Sequence, residues 1–269
     1  MGQLVGAFAT SHVLMARTGI EARADRVFDG MMEIRRRVDA LDPDILVLIG
    51  DDHMLNLNLK FEIPLAVPLQ ETMTPFGEAG LPRTPFRGSP EFSGGLVDYV
   101  NARGFDVAIL REYQLCHGFT IPAFIGAPRK TRLIAPVIIN TMMDPPLSPA
   151  RAHEFGARIG DYIREARPAS ERAVIIGCGG LTHWVGVELQ GKMNFDFDQR
   201  VFDLFAGGRA GELAKMSADD ILAVAGNGGL ELENWIAVAG ATGNRPAHKV
   251  YYEPMPEWFT GMAGIQVEL

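Results

Sequence analysis

Five short, nearly unbroken apolar runs constrain this chain more than any other feature. They are residues 4–9, 45–50, 107–110, 133–140 and 173–177, each dominated by Val, Ile, Leu or Ala. A strand with one face in water alternates apolar and polar residues. A run without alternation suits a strand buried on both faces, as in a mainly parallel sheet. Helical spacing fills the gaps. Ile20, Ala24, Val27, Phe28, Met31, Ile34 and Val38 recur every three or four residues, and 149–166 repeats the pattern behind Pro149, a residue tolerated in a first helical turn. The stretch 92–103 is helical in spacing but carries Gly94 and Gly95. After Lys192 the chain reads as helices near 195–205, 218–224 and 229–241, then a strand near 249–252. Strands alternating with helices predict an α/β fold: one domain over 1–269, with a central, mainly parallel sheet flanked by helices.

One region breaks the alternation. Residues 61–90 hold six prolines and three glycines, so no long helix can form there. The expectation is an extended excursion over the surface, either a lid over a site or an insertion without function.

Composition removes whole classes of function. Lys and Arg number 25 against 33 Asp and Glu, a net charge of −8, which leaves no basic footprint for nucleic acid. No apolar run approaches the roughly 18 residues of a membrane span. The apolar stretch 4–9 lacks a basic region before it, which argues against a signal peptide. Cys116 and Cys178 cannot build a disulfide framework, no CxxC pair is present, and both read as small buried fillers. The expectation is a cytoplasmic protein, with a homo-oligomer as the default assembly.

The six histidines carry the chemical signal. His12 follows the first apolar run, His53 the second, His117 the third at some distance, and His183 the fifth. In a parallel sheet these positions lie outside the carboxyl ends of strands, where α/β folds bind ligands. His153 sits among Arg151, Glu154 and Arg158 and reads as a solvated helix face; His248 carries no functional argument. Converging neutral imidazoles are good ligands for iron, zinc, copper or nickel. A carboxylate partner stands at Glu231, just after the Asn227-Gly228-Gly229 turn. It shares a helix face with Trp235, whereas Glu233 turns roughly 200° away from Glu231. Two His and one carboxylate with open positions form the facial set of non-haem Fe(II) oxygenases, and metal hydrolases use similar sets.

These pieces together resemble the class III extradiol ring-cleavage dioxygenases, a family that includes protocatechuate 4,5-dioxygenase β subunits, gallate dioxygenases and 2,3-dihydroxyphenylpropionate dioxygenases. The matching segments are Ser11-His12, Asp52-His53, His117-Gly118, Gly179-Gly180-Leu181-Thr182-His183, and Gly228-Gly229-Leu230-Glu231 through Trp235 to Gly240-Ala241. They stand in the family's order and span nearly the whole chain. The resemblance implies Fe(II) held by His12, His53 and Glu231, with His183 as acid/base and His117 as a second pocket histidine contacting substrate or oxygen. It implies a catecholic substrate, protocatechuate- or gallate-like, and O2 as co-substrate, and it allows a small partner subunit that completes the site. The chain departs from the family at Leu14, where a proline is common, and over 61–90. Asp52 reads either as a partner fixing a ligand imidazole or as a turn cap. Trp184 reads as a pocket wall or as core, and Asn56 is within reach of the pocket. The competing readings are a metal-dependent hydrolase or amidase on the same ligands, and a binding subunit without turnover.

Overall fold

The computed structural model describes residues 1–60, 62–127 and 132–269. Its strands are β1 (Gln3–Thr10), β2 (Ile45–Gly50), β3 (Leu65–Pro68), β4 (Thr72–Met73), β5 (Phe86–Arg87), β6 (Ala108–Leu110), β7 (Leu133–Ile139), β8 (Arg172–Cys178), β9 (Ala247–Met255) and β10 (Thr260–Val267). Its helices are α1 (Glu21–Leu41), α2 (Pro90–Asn101), α3 (His117–Gly126), α4 (Pro149–Ala166), α5 (Phe195–Ala206), α6 (Ala218–Ala225) and α7 (Leu232–Ala241). Eight strands make one sheet in the order β6-β3-β7-β2-β8-β1-β10-β9. The central four, β7, β2, β8 and β1, are mutually parallel. Every residue of β2 is buried, as the unbroken apolar run requires. Two apolar cores cover the sheet faces. Helices α2, α4 and α7 pack on one and α1 and α3 on the other, so the α/β architecture expected from the alternation is the one observed.

The flanks are antiparallel. β10 pairs with β1, and β9 with β10. Strand β10 reads Thr-Gly-Met-Ala-Gly-Ile-Gln-Val, too rich in small residues to announce itself as a strand. At the other flank β3 runs against β7, and β6 follows β3. β3 lies inside the Pro-rich segment, whose residue 61 is outside the described residues. That segment is therefore not an excursion throughout: Leu65, Ala66, Val67 and Pro68 are buried in the sheet, and the surface course begins after them with the small β4–β5 ribbon. Pro64 and Pro68 bracket a strand near the sheet edge, where proline is tolerated.

Two further details fix the frame of the site. Helix α2 forms despite its paired glycines. Pro90 opens it behind a Ser89 cap, and a Cβ on Gly95 would stand 2.5 Å from the Tyr162 hydroxyl. Helices α4 and α7 meet backbone to backbone. A Cβ on Gly156 would fall 1.9 Å from the Ala237 carbonyl oxygen, one on Gly160 2.3 Å from that of Ala241, and one on Gly240 2.0 Å from that of His153. No side chain larger than hydrogen fits this seam, so α7 has one seating against α4.

Candidate metal centre and active site

All four central strands deliver residues to one cavity from their carboxyl ends. β1 supplies His12, β2 His53, β7 Thr141 and Met142, and β8 His183. His117 arrives by another route. β6 runs opposite to the central strands, and His117 instead heads α3, whose amino terminus opens on the site. Glu231 stands in a helical turn immediately before α7. The cavity measures about 410 Å³ and contains all five expected site residues, His12, His53, His117, His183 and Glu231.

The carboxylate of Glu231 is the hub. Its Oε1 lies 2.9 Å from His53 Nε2 and 3.4 Å from His12 Nε2. Its Oε2 accepts a 2.9 Å hydrogen bond from the Gly180 backbone N–H and lies 3.9 Å from His183 Nε2. Burial pushes the carboxyl toward its neutral form, but the charges and hydrogen bonds of His12 and His53 outweigh it and hold the pKa well below the usual range. The rings of His12, His53 and His117 cluster with centroids 4.3–5.3 Å apart.

The tautomers follow from the partners. Cys116 donates its S–H to the Asp51 carbonyl at 3.3 Å, so its sulfur accepts from His53 Nδ1–H at 3.4 Å. Burial pushes the His53 pKa down, but the hydrogen bonds and charges of Cys116 and Glu231 outweigh it and hold it well above its ordinary value, so the Nε2 facing the carboxylate oxygen carries a proton when no metal ion stands there. Two acceptors 2.9 Å apart attract only with a cation between them, a proton or a metal ion. His183 donates from Nδ1 to the Leu181 carbonyl at 2.9 Å, which leaves its Nε2 bare and facing the cavity. His117 donates from Nδ1 to Glu78 at 2.9 Å, and its backbone N–H binds the same carboxylate at 3.0 Å. Burial, then the charges of His12 and His53, push the His117 pKa down to about 4, so this ring is neutral near pH 7.

The donor set fits a metal ion. Ring nitrogens of His12, His53 and His117 lie within 4.8 Å of one another, as do ligand atoms of Asp51, His53 and Glu231. His12 Nδ1 is buried without a hydrogen-bond partner among the described residues. Behind the cluster Glu233 is fully buried, and neither of its oxygens has a partner there. Burial and the nearby Asp51 charge push its pKa up to about 9, so it is a neutral acid at pH 7.

Local sequence explains the placement. His53 and Met54 have φ of 52° and 57°, a left-handed step unfavourable for residues with side chains. Asp52 holds that step, accepting from the Asn56 and Leu57 N–H groups at 2.8 and 2.7 Å. Asp52 is thus a turn cap. Asn56 braces the same turn against the Gln114 backbone and does not line the cavity. The motif glycines make room. A Cβ on Gly228 would stand 2.1 Å from His183 Nε2, and one on Gly118 2.6 Å from His53 Cε1. Trp184 is buried and does not line the cavity; its aromatic wall is Trp258 and Phe259, from the β9–β10 connection. Sequence reasoning missed both, along with Glu78 and the Cys116–His53 contact. Burial pushes both thiols up, which fits packing rather than nucleophilic roles.

Comparison with known proteins agrees with this geometry. Residues 6–263 match the model of the catalytic subunit of aromatic ring-opening dioxygenases, the LigB family. The chain belongs to this family, the class III extradiol dioxygenases, and its enzyme class is an extradiol ring-cleaving dioxygenase. Among curated relatives, a 2,3-dihydroxyphenylpropionate/2,3-dihydroxicinnamic acid 1,2-dioxygenase of Rhodococcus globerulus is 24% identical, covering 94% of this chain and 93% of its own. An Azotobacter vinelandii protein of the same name is also 24% identical, over 87% of this chain and 88% of its own. The crystal structure of an uncharacterized Escherichia coli K12 protein superposes with a TM-score of 0.61 at 15% identity, over 98% of this chain and 100% of that one, a likeness of fold. No helix among the described residues is long and apolar enough to cross a membrane.

Proposed function

We propose that the protein is an Fe(II)-dependent extradiol dioxygenase that opens the ring of a catechol with O2. His12, His53 and Glu231 hold the iron, and His183 is the acid/base. The observation that carries this reading is the convergence on one buried carboxylate oxygen, Glu231 Oε1, of His53 Nε2 at 2.9 Å and His12 Nε2 at 3.4 Å. Two His and one carboxylate leave open positions on the metal. When bound, Fe(II) supplies a site for both catechol oxygens and O2 and a route for electrons between them.

The chain's own residues manage protons and water. His183 Nε2 is bare and aimed into the cavity, so it can take a hydroxyl proton as the catechol binds and return it later. Neutral His117, fixed by Glu78, offers a second bare Nε2 within the histidine cluster and can hydrogen-bond a catechol hydroxyl. Trp258 and Phe259 wall the cavity and limit water around the ring. A catecholic ring is the substrate class that family membership supports.

The test is anaerobic loading with Fe(II), then O2 uptake with a panel of catechols. Stoichiometric uptake with loss of the aromatic absorbance is expected. His183→Ala should keep iron and bind catechol, while kcat falls roughly 10²- to 10⁴-fold. No uptake from a protein that prefers zinc would sink the reading and restore a hydrolase.

A further inference from the structure

We propose that the substrate is a catechol whose ring substituent is uncharged and apolar, lodged in an annex beside His117, rather than a catechol bearing a carboxylate. This rests on the ring-cleavage reading above and specifies its substrate. A smaller cavity of about 250 Å³ shares Val13, Met15 and His117 with the main one. Its other walls are Leu14, Leu81 and Ile121, with Glu78 and Ala79. A ring held at the metal end has this apolar recess adjoining the His117 side of its cavity.

Neither cavity has an Arg or Lys in its wall among the described residues. Sites for carboxylates commonly use a guanidinium fork or an ammonium group, because a buried anion without a partner is strongly disfavoured. Among the described residues the one charged group in the annex wall is an acid, Glu78, which repels an anion. Among cations on neighbouring loops, Arg17 pairs with Asp25, Arg23 with Glu257, Lys192 sits 4.7 Å over the Trp184 ring, and Arg83, whose stem lies against Gly77, lines neither cavity. Three of the neutral donors in the wall are committed as well. Asn227 spends both ends of its amide on the Val185 backbone, Thr141 donates to Asp51, and Trp258 donates to the Ala16 carbonyl. The entrance continues the apolar surface, with Met15, Met142 and Val185 exposed at it.

The experiment compares 2,3-dihydroxyphenylpropionate with its methyl ester, and protocatechuate with 4-methylcatechol, on the Fe(II)-loaded protein. Affinity is read by calorimetry without O2, and kcat/KM by O2 uptake. The uncharged member of each pair is expected to be favoured by about 10- to 100-fold in both readouts. Leu81→Trp, which fills the annex, should lower kcat/KM for the ester about tenfold more than for unsubstituted catechol. Equal or better use of the acids overturns the inference and leaves ring cleavage standing. Catechols neither bound nor turned over, in protein shown to hold iron, overturn the ring-cleavage reading and this inference with it.

Discussion

The two edges of the central sheet treat polar groups in opposite ways. At the amino edge they are paired. Arg167 sends its guanidinium to Glu91 and Glu171, and Arg132 binds the carbonyls of Pro43 and Gly126 and the carboxylate of Asp39. Arg172 ties the start of β8 to the Leu41 carbonyl, while Asp44 accepts from its backbone N–H. At the carboxyl edge, two imidazoles crowd one buried carboxylate oxygen, His53 sits in a left-handed conformation, and Glu233 is buried without a partner among the described residues. The amino edge closes the barrel of interactions that stabilises the sheet. The carboxyl edge carries the groups proposed to take their partners, metal and substrate, from outside the chain. Stability and chemistry are thus separated by the length of the strands.

The sharpest way to break this contrast is at the hub. Glu231→Ala, His12→Ala or His53→Ala should abolish O2 uptake and lower metal content by at least about tenfold, without reducing the Tm of the metal-free protein. A large drop in that Tm would show that the carboxyl edge also carries stability. Arg167→Ala should do the converse. Its loss strands Glu171 and costs about 3 kcal/mol, roughly 5–10 °C in Tm, with kcat unchanged at permissive temperature. The pH dependence has a definite sign. The Arg167 hydrogen bond holds the Glu91 carboxyl below its ordinary value of 4.5. That contribution is present above this value and is lost as pH falls through the lower folded one, so the gap between variant and parent should narrow in acid. Chemical denaturation at pH 7 and at pH 3.5 checks it. The smallest effect is expected at Glu78, which connects the surface segment to the site. Glu78→Ala should lower kcat about tenfold with iron retained, and Glu78→Gln, still able to accept from His117 Nδ1, should recover part of it.

What could be read from the sequence follows chain locality. His12, His53 and His183 stand within a few residues of strand ends, and the end of a buried parallel strand converts position along the chain into position in space. Glu231 was legible because Asn227-Gly228-Gly229 marks the turn that delivers it. Glu78 was not, because it reaches His117 across 39 residues from a segment whose prolines obscured its order. Trp258 and Phe259 come from an antiparallel hairpin at the far end of the chain, and no periodicity ties that hairpin to the first strand it pairs with. The strand β3 escaped for a related reason: Pro64 and Pro68 bracket three residues, too few to show a pattern.

The glycine seam between α4 and α7 has a consequence for heat. Glu231 rides at the head of a helix that can seat in one way only, while the annex is walled by the loop after β1 and by the surface segment around Leu81. Warming loosens loops before packed helices. Below the unfolding temperature the enzyme should therefore lose its grip on the substituent while Glu231, and His12 beside a Ser11 bound to Ala263 of β10, stay aligned. It would become less selective among catechols before it becomes less active.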